Sequence, residues 1–484
     1  MSDLDKPKAN CGIVGVYGHD EASIYAYQSL YALQHRGQES SGIVSSNGKH
    51  IYRHVGMGLV NNVFSDFKTL KRLKGHLAIG HNRYSTTGST LINNAQPFLV
   101  NYKDGPIAIS HNGNFINAQS VRSELEEDGA IFQTTSDTEV ILHLMARSKS
   151  EDIVGKIQDA FHTIKGAYCI ALITLDKIIA IRDPRGWRPL CLGRKGAAHF
   201  VVSETCALDL MGAEYVRDIE AGEIVLIDQD GVHSHRLDEK AERSCCIFEH
   251  VYFSRPDSKI FDENVDRARR KLGKILATEH PCDADIVIAV PDSSNTAALG
   301  YASRSGIRFE IGLIRNHYVG RTFIHPEQSS RDFNVRVKFN PVEGVLKNRR
   351  VVVVEDSIVR GTTLRLLTKM LRNAGAKEVH IRVSSPPIIA PCFYGMDFPT
   401  SEELIANQMS VEKIREFLGV DSLGYLSLQG MIDAVGDHNR GFCTACFTGQ
   451  YPLEPLDLMN KFKLELNGTK KKDANANEAV VETT

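Results

Sequence analysis

Short apolar runs, each closed by a polar cluster, recur along the chain and set its predicted elements. In the first half they fall at 11–17, 107–110, 167–174 and 178–182 and read as strands. Helical spacing of apolar positions intervenes at 22–33 and 137–146, the second with Ser136 or Asp137 placed to cap it. In the second half, strands at 286–290, 351–354 and 378–383 alternate with helical patterns at 264–277, 364–373 and 410–418. That alternation is the order of a parallel α/β sheet with right-handed crossovers. The run at 351–354 is four valines, as a strand buried on both faces requires. The polar stretch 228–243 carries both signs of charge and is the expected domain junction. From Gly468 the sequence has few bulky apolar groups and is expected to be a disordered tail.

At 484 residues the chain is too long for one core, and about three domains is the prior. A formal net charge of -2 gives no electrostatic case for nucleic acid or an anionic membrane. No apolar run approaches the ~18 residues of a transmembrane helix, and the polar start is not a secretory signal. The cytoplasm is therefore the expected compartment. Ten cysteines in a chain of this length are not a disulfide scaffold.

Chemistry concentrates first in VVVVEDSIVRGTT, residues 351–363. Ligands of open α/β sheets bind at the carboxyl ends of strands. Here Glu355 and Asp356 stand at that end, followed by Ser357, Gly361, Thr362 and Thr363 at the start of a helix. A glycine and a helix start offer backbone N–H groups to an anion, and hydroxyls add donors. No lysine sits where a nucleoside-triphosphatase loop needs one, and paired acids suit sugar hydroxyls or Mg²⁺ instead. The loop resembles the phosphoribosyl-pyrophosphate (PRPP) signature of the phosphoribosyltransferases. That resemblance implies that Glu355 and Asp356 lie along the ribose hydroxyls and Mg²⁺, and that the loop holds the 5′-phosphate. The usual pair is Asp-Asp; Glu355 keeps the charge. PDSS at 291–294 resembles a second element of the same site, with Ser293 beside Mg²⁺. The basic stretch 315–332 reads as a lid, with Arg321 or Arg331 near the pyrophosphate.

Five fragments of the first half, CGIVG from Cys11, HRGQES from His35, HNRYST from His81, HNGNF from His111 and SDTE from Ser136, resemble the class II glutamine amidotransferases, which are N-terminal-nucleophile hydrolases. The residue types fit glutamine. Arg83 can grip its carboxylate, with Arg36 in support, and Asp137 can pair with its ammonium. Cys11 attacks the amide carbon, while Asn112 and the Gly113 N–H hold the oxyanion. The family's base is the α-amine of the cysteine itself, so the resemblance implies removal of residues 1–10.

Cys443 and Cys446 form a CxxC, and Cys246 and Cys392 can complete a set of four. Spacing alone does not choose between zinc and an iron–sulfur cluster, nor between Cys246 and its neighbour Cys245. A glutaminase followed by a PRPP domain resembles the glutamine–PRPP amidotransferase family, supported by RDPRGWRPL at 182–190, YFSRPDS at 252–258 and PCFYG at 391–395. Its propeptide-bearing branch implies a [4Fe–4S] cluster on Cys246, Cys392, Cys443 and Cys446.

The implied architecture is α/β and α+β. A propeptide (1–10) precedes a four-layer αββα glutaminase (11–240), a parallel α/β phosphoribosyltransferase with the cysteines (245–466) and the tail (467–484). The implied reaction moves ammonia from glutamine through an apolar channel to C1 of PRPP. It implies Mg²⁺ as cofactor, purine nucleotides as feedback inhibitors and a homotetramer or homodimer. An amidotransferase for an amino sugar or asparagine would share the first half but not residues 351–363. A non-catalytic PRPP-fold regulator has no reason to hold Cys11, Arg83, Asn112 and Asp137 together.

Overall fold

The computed structural model describes residues 11–84, 90–316, 337–396, 398, 400–436 and 441–454. The chain divides into two units. Among the described residues, one holds everything up to Cys245 together with Phe393–Met396 and 453–454; the other holds Cys246–Cys392 and the remainder to Pro452.

The first unit is built on two antiparallel sheets. One has seven strands in the order 214–218, 191–195, 198–202, 12–17, 77–83, 40–46, 51–57; the other has six, in the order 231–236, 223–228, 178–182, 166–173, 105–115, 98–102. Their inner strands are largely apolar on consecutive residues because both faces are covered. Ile13 points into the core shared by the two sheets, while Val14 and Val16 point to the helix layer. In the second sheet Cys169, Ala171 and Ile173 face the shared core, and Tyr168, Ile170 and Leu172 face the other helices. The helices Ala22–Ala32 and Thr205–Met211 cover the first sheet, and Ala118–Glu127, Glu139–Arg147 and Ile153–Thr163 the second. This is the four-layer αββα sandwich expected.

Two expectations are corrected. The stretch 228–243 is not a linker along its length: Gly231–Arg236 is an edge strand, and its polar residues face solvent from the free side of the sheet. Neither Ser136 nor Asp137 caps the following helix, which begins at Glu139 after Thr138. Both side chains are engaged elsewhere, as described below.

The second unit has a four-stranded parallel sheet, ordered 286–289, 350–355, 378–383, 422–425. Val351 and Val353 enter its core with Ile286, Ile288, Val379 and Ile381. The helix Thr362–Asn373 buries Leu364, Leu367 and Leu371, one face at helical spacing, against that sheet. Asn264 and Ser410 cap the helices Val265–Glu279 and Val411–Leu418 through their side chains. Among the described residues no helix is long and apolar enough to cross a membrane. The expected propeptide, the lid from 317 onward with Arg321 and Arg331, and the tail lie outside the described residues.

Candidate active sites

Cys11 precedes the central strand of the first sheet, and three features hold it there. Its Sγ donates to the Tyr84 carbonyl at 3.3 Å and accepts from the Tyr84 N–H at 3.4 Å. Its own carbonyl accepts from Arg36 Nε at 3.3 Å. Arg36 is fully buried and ion-paired with the buried Glu204, which also takes His35 Nε2 at 2.7 Å. Arg36 therefore holds the Cys11 backbone through its carbonyl and is itself held by Glu204. Nothing in the sequence marked Glu204, which lies far along the chain and meets Arg36 only through the fold.

Arg83 ends the neighbouring strand, with Nη1 3.5 Å from the Glu39 carboxylate. Asp137 accepts the Phe115 N–H at 3.1 Å and the Thr138 hydroxyl at 3.3 Å, and lies 3.8 Å from His111 Nδ1. Burial works to raise the Asp137 carboxyl, but His111 and these hydrogen bonds outweigh it and hold it below the usual carboxylate range. It is a fixed negative charge at neutral pH. Burial pushes the Cys11 thiol up to about 11, against the Tyr84 hydrogen bond and Arg83, while Glu39 and Asp137 add to the rise. Arg83, Glu39 and Asp137 thus all act on the sulfur. Asn112, 0% exposed, has neither its amide oxygen nor its nitrogen hydrogen-bonded among the described residues. An orphaned buried amide is costly unless a ligand uses it.

In the second unit the carboxyl end of Arg350–Glu355 delivers Glu355 and Asp356, 3% and 1% exposed. Ser293 Oγ donates to Asp356 at 2.6 Å, and Ser294 Oγ approaches Glu355 at 3.3 Å and Asp356 at 3.4 Å. The Ser357 hydroxyl donates to the other Asp356 oxygen at 2.7 Å. The structure thus brings PDSS and the acidic pair together across neighbouring parallel strands. Gly361, at φ +75°, turns the chain into the helix that opens with Thr362 and Thr363. Arg315, at the described edge of the expected lid, pairs with Asp292 at 2.8 Å. The donor set here is all oxygen, two carboxylates among hydroxyls, which fits Mg²⁺ completing its shell with waters and phosphate oxygens.

Cys246, Cys392, Cys443 and Cys446 are gathered in the same unit. Burial raises Cys446 well above the ordinary thiol range, and Cys246, Cys392 and Cys443 each raise it further. Burial raises the Cys245 thiol, Arg182 opposing and Asp183 adding to the rise, and Cys245 is not among the groups that act most strongly on Cys446. Among the described residues no group of three or more His, Cys, Asp or Glu already stands in a metal-holding arrangement. The chemistry of three buried thiols and the half-buried Cys392, whose thiolates would share one neighbourhood around Cys446, nonetheless fits a group that binds thiolates.

These geometries define a glutamine amidotransferase joined to a phosphoribosyltransferase. Independent likeness agrees. Residues 81–209 match the glutamine amidotransferase domain family and residues 259–385 the phosphoribosyl transferase domain family. The chain is 53% identical to amidophosphoribosyltransferase 2, chloroplastic, of Arabidopsis thaliana over 94% of this chain and 81% of that one. It is 49% identical to amidophosphoribosyltransferase of Bacillus subtilis over 94% and 96%. The solved B. subtilis glutamine PRPP amidotransferase complexed with ADP and GMP superposes with a TM-score of 0.88 at 48% identity, covering 93% of this chain and 99% of that one. The chain belongs to the amidophosphoribosyltransferase family, and it is an enzyme.

Proposed function

We propose that the chain hydrolyses glutamine at Cys11 and transfers the ammonia to C1 of PRPP, giving 5-phosphoribosylamine, glutamate and pyrophosphate, the opening step of purine synthesis. The observation that carries the first half is the convergence of Arg83 and Asp137, opposite in charge, on one thiol. A free amino acid needs such a pair, the guanidinium for its carboxylate and the carboxylate for its ammonium. With its pKa near 11, roughly one Cys11 thiol in ten thousand is ionised at pH 7, so attack needs a base. The α-amine freed by cleavage between Asn10 and Cys11 supplies one, with a pKa of ~7.7–8. It takes the thiol proton as sulfur attacks the amide carbon and returns it to the departing ammonia. Asn112 Nδ2 and the Gly113 N–H hold the oxyanion, and water then releases glutamate from the thioester.

In the second unit Glu355 and Asp356 hold the ribose hydroxyls, and Ser357, Gly361, Thr362 and Thr363 hold the 5′-phosphate. Arg321 and Arg331 are proposed near the pyrophosphate. Mg²⁺, on Ser293, Glu355 and Asp356, would offset the charge of the pyrophosphate as it leaves. A [4Fe–4S] cluster on Cys246, Cys392, Cys443 and Cys446 would tie distant parts of the second unit together. Purine nucleotides as inhibitors are supported by the ADP and GMP of the B. subtilis structure. Exposed Tyr31 and Leu210, on the outer helices of the first unit, support a homo-oligomer, and a cytoplasmic location is proposed with it.

The test is to follow glutamate and pyrophosphate together. One pyrophosphate per glutamate, in the presence of glutamine, PRPP and Mg²⁺, is expected. Glutamine hydrolysis that never yields pyrophosphate would overturn the reading. Intact mass of active protein should begin at Cys11; activity in a chain retaining Met1 or Ser2 would remove the amine base.

A further inference from the structure

The segment Phe393–Met396 comes from the second half of the sequence but packs within the glutaminase unit. Its contacts fall on the end of the strand Gly105–Phe115, which carries the proposed oxyanion donors. Asn114, two residues beyond Asn112, donates its Nδ2 to the Phe393 carbonyl at 3.0 Å. A Cβ on Gly395 would come within 3.0 Å of the Gly113 carbonyl carbon and 3.2 Å of its Cα. On its other side Gly113 is pressed by strand pairing with Tyr168, where a Cβ would lie 2.0 Å from the Ala167 carbonyl. The Gly113 backbone, at φ +152°, is therefore clamped from both sides.

The segment itself is anchored. Tyr394, 2% exposed, stacks on Trp187 with ring centroids 4.4 Å apart and planes 23° from parallel. The buried Arg188 donates Nη2 to the Tyr394 carbonyl at 2.6 Å. The Tyr394 hydroxyl donates to the Leu453 carbonyl at 2.5 Å and accepts from the Leu453 N–H at 3.0 Å. These anchors run through Trp187, Arg188 and Leu453, none of which is a proposed glutamine-binding group.

We propose that Phe393–Gly395 is a positioning strap that aims the Asn112 amide and the Gly113 N–H at the oxyanion, so that it governs glutaminase turnover rather than glutamine binding. The proposal rests on the oxyanion role proposed above. A donor preorganised for the charge of the tetrahedral intermediate lowers the barrier only if it is held in place beforehand. Gly395 is the residue that permits the approach: its φ of +96° and its contact with Gly113 both exclude a side chain.

The experiment compares Gly395→Ala, Tyr394→Phe and Asn112→Ala in the full-length enzyme, each assayed with glutamine and, separately, with ammonia. Gly395→Ala is expected to lower glutamine-dependent kcat by about ten- to a hundredfold, within the effect of losing one oxyanion donor. Its glutamine KM and its ammonia-dependent rate should stay within about twofold of wild type, because binding groups and the PRPP site are untouched. A glutamine γ-aldehyde, which forms a tetrahedral adduct on Cys11, should bind Gly395→Ala more weakly by the same factor as kcat falls. Tyr394→Phe keeps the ring stack and should retain most of the turnover. Unchanged kcat in Gly395→Ala, or a loss carried by KM or shared by the ammonia reaction, overturns the strap. Full kcat in Asn112→Ala would overturn the oxyanion reading itself, and the strap with it; loss there with none in Gly395→Ala would remove the strap alone.

Discussion

The proposed nucleophile is a single thiol, and its surroundings make it a poor one until an amine is beside it. Burial holds the Cys11 proton on sulfur through the neutral range, so the uncleaved chain should react with iodoacetamide at a rate that climbs about tenfold per pH unit toward 11. The cleaved chain should instead level off near the α-amine pKa of ~7.7–8. Identical profiles for the two forms would contradict the assignment of the base. Arg83→Lys should raise glutamine KM about tenfold and leave the ammonia reaction intact, since an ammonium cannot reproduce a forked grip on a carboxylate; an unchanged KM would place the carboxylate elsewhere. Cys11, Arg83, Asn112 and Asp137 could be singled out because each sits in a short run whose residue types fit one substrate, and the fold brings Arg83 and Asp137 to act on the Cys11 thiol. Glu204, Glu39 and Thr138 could not, because their value arises only where strands and loops distant in sequence meet.

At the scale of elements, strands buried on both faces announced themselves as apolar runs, and 178–182 and 351–354 lie in strands where the pattern puts them. The edge strand Gly231–Arg236 escaped because only one of its sides is paired, and its exposed positions are free to be polar. The cap of Glu139–Arg147 was misread for a related reason. Asp137 holds the Phe115 N–H instead, and Ser136 bonds to the Asp137 carboxylate and Thr138 hydroxyl, so the site takes the groups a helix would use. The turn from Glu355 into its helix was legible through Gly361. A Gly361→Ala change places a Cβ 3.0 Å from Ile405 Cδ1 in a left-handed conformation, a strain of ~1–2 kcal/mol. PRPP KM should rise about tenfold with glutamine hydrolysis in the absence of PRPP unaffected; an unchanged KM would mean the turn does not shape the phosphate site.

For the whole molecule, the pattern changes from short apolar runs in the first half to strand–helix alternation in the second, and the structure divides after Cys245. The return of Phe393–Met396 to the first unit was not readable, since nothing local distinguishes a segment that packs against distant sequence. The four cysteines span 246 to 446 and meet only in the fold. Cys443→Ser should lose iron, lose visible absorbance and lower the Tm of anaerobically purified enzyme, whereas Cys282→Ser, which is not among the residues around Cys446, should change none of these. Stoichiometric zinc in a colourless wild-type protein would contradict the cluster.

The central claim is that two chemistries in one chain are joined by ammonia alone. Cys11→Ala tests it most directly, with pyrophosphate release from PRPP and Mg²⁺ as the readout. Glutamine should give no release, and ammonium salts at alkaline pH should restore it to the wild-type ammonia-dependent rate. Release with glutamine in Cys11→Ala, or none with ammonia despite bound PRPP, would contradict the account.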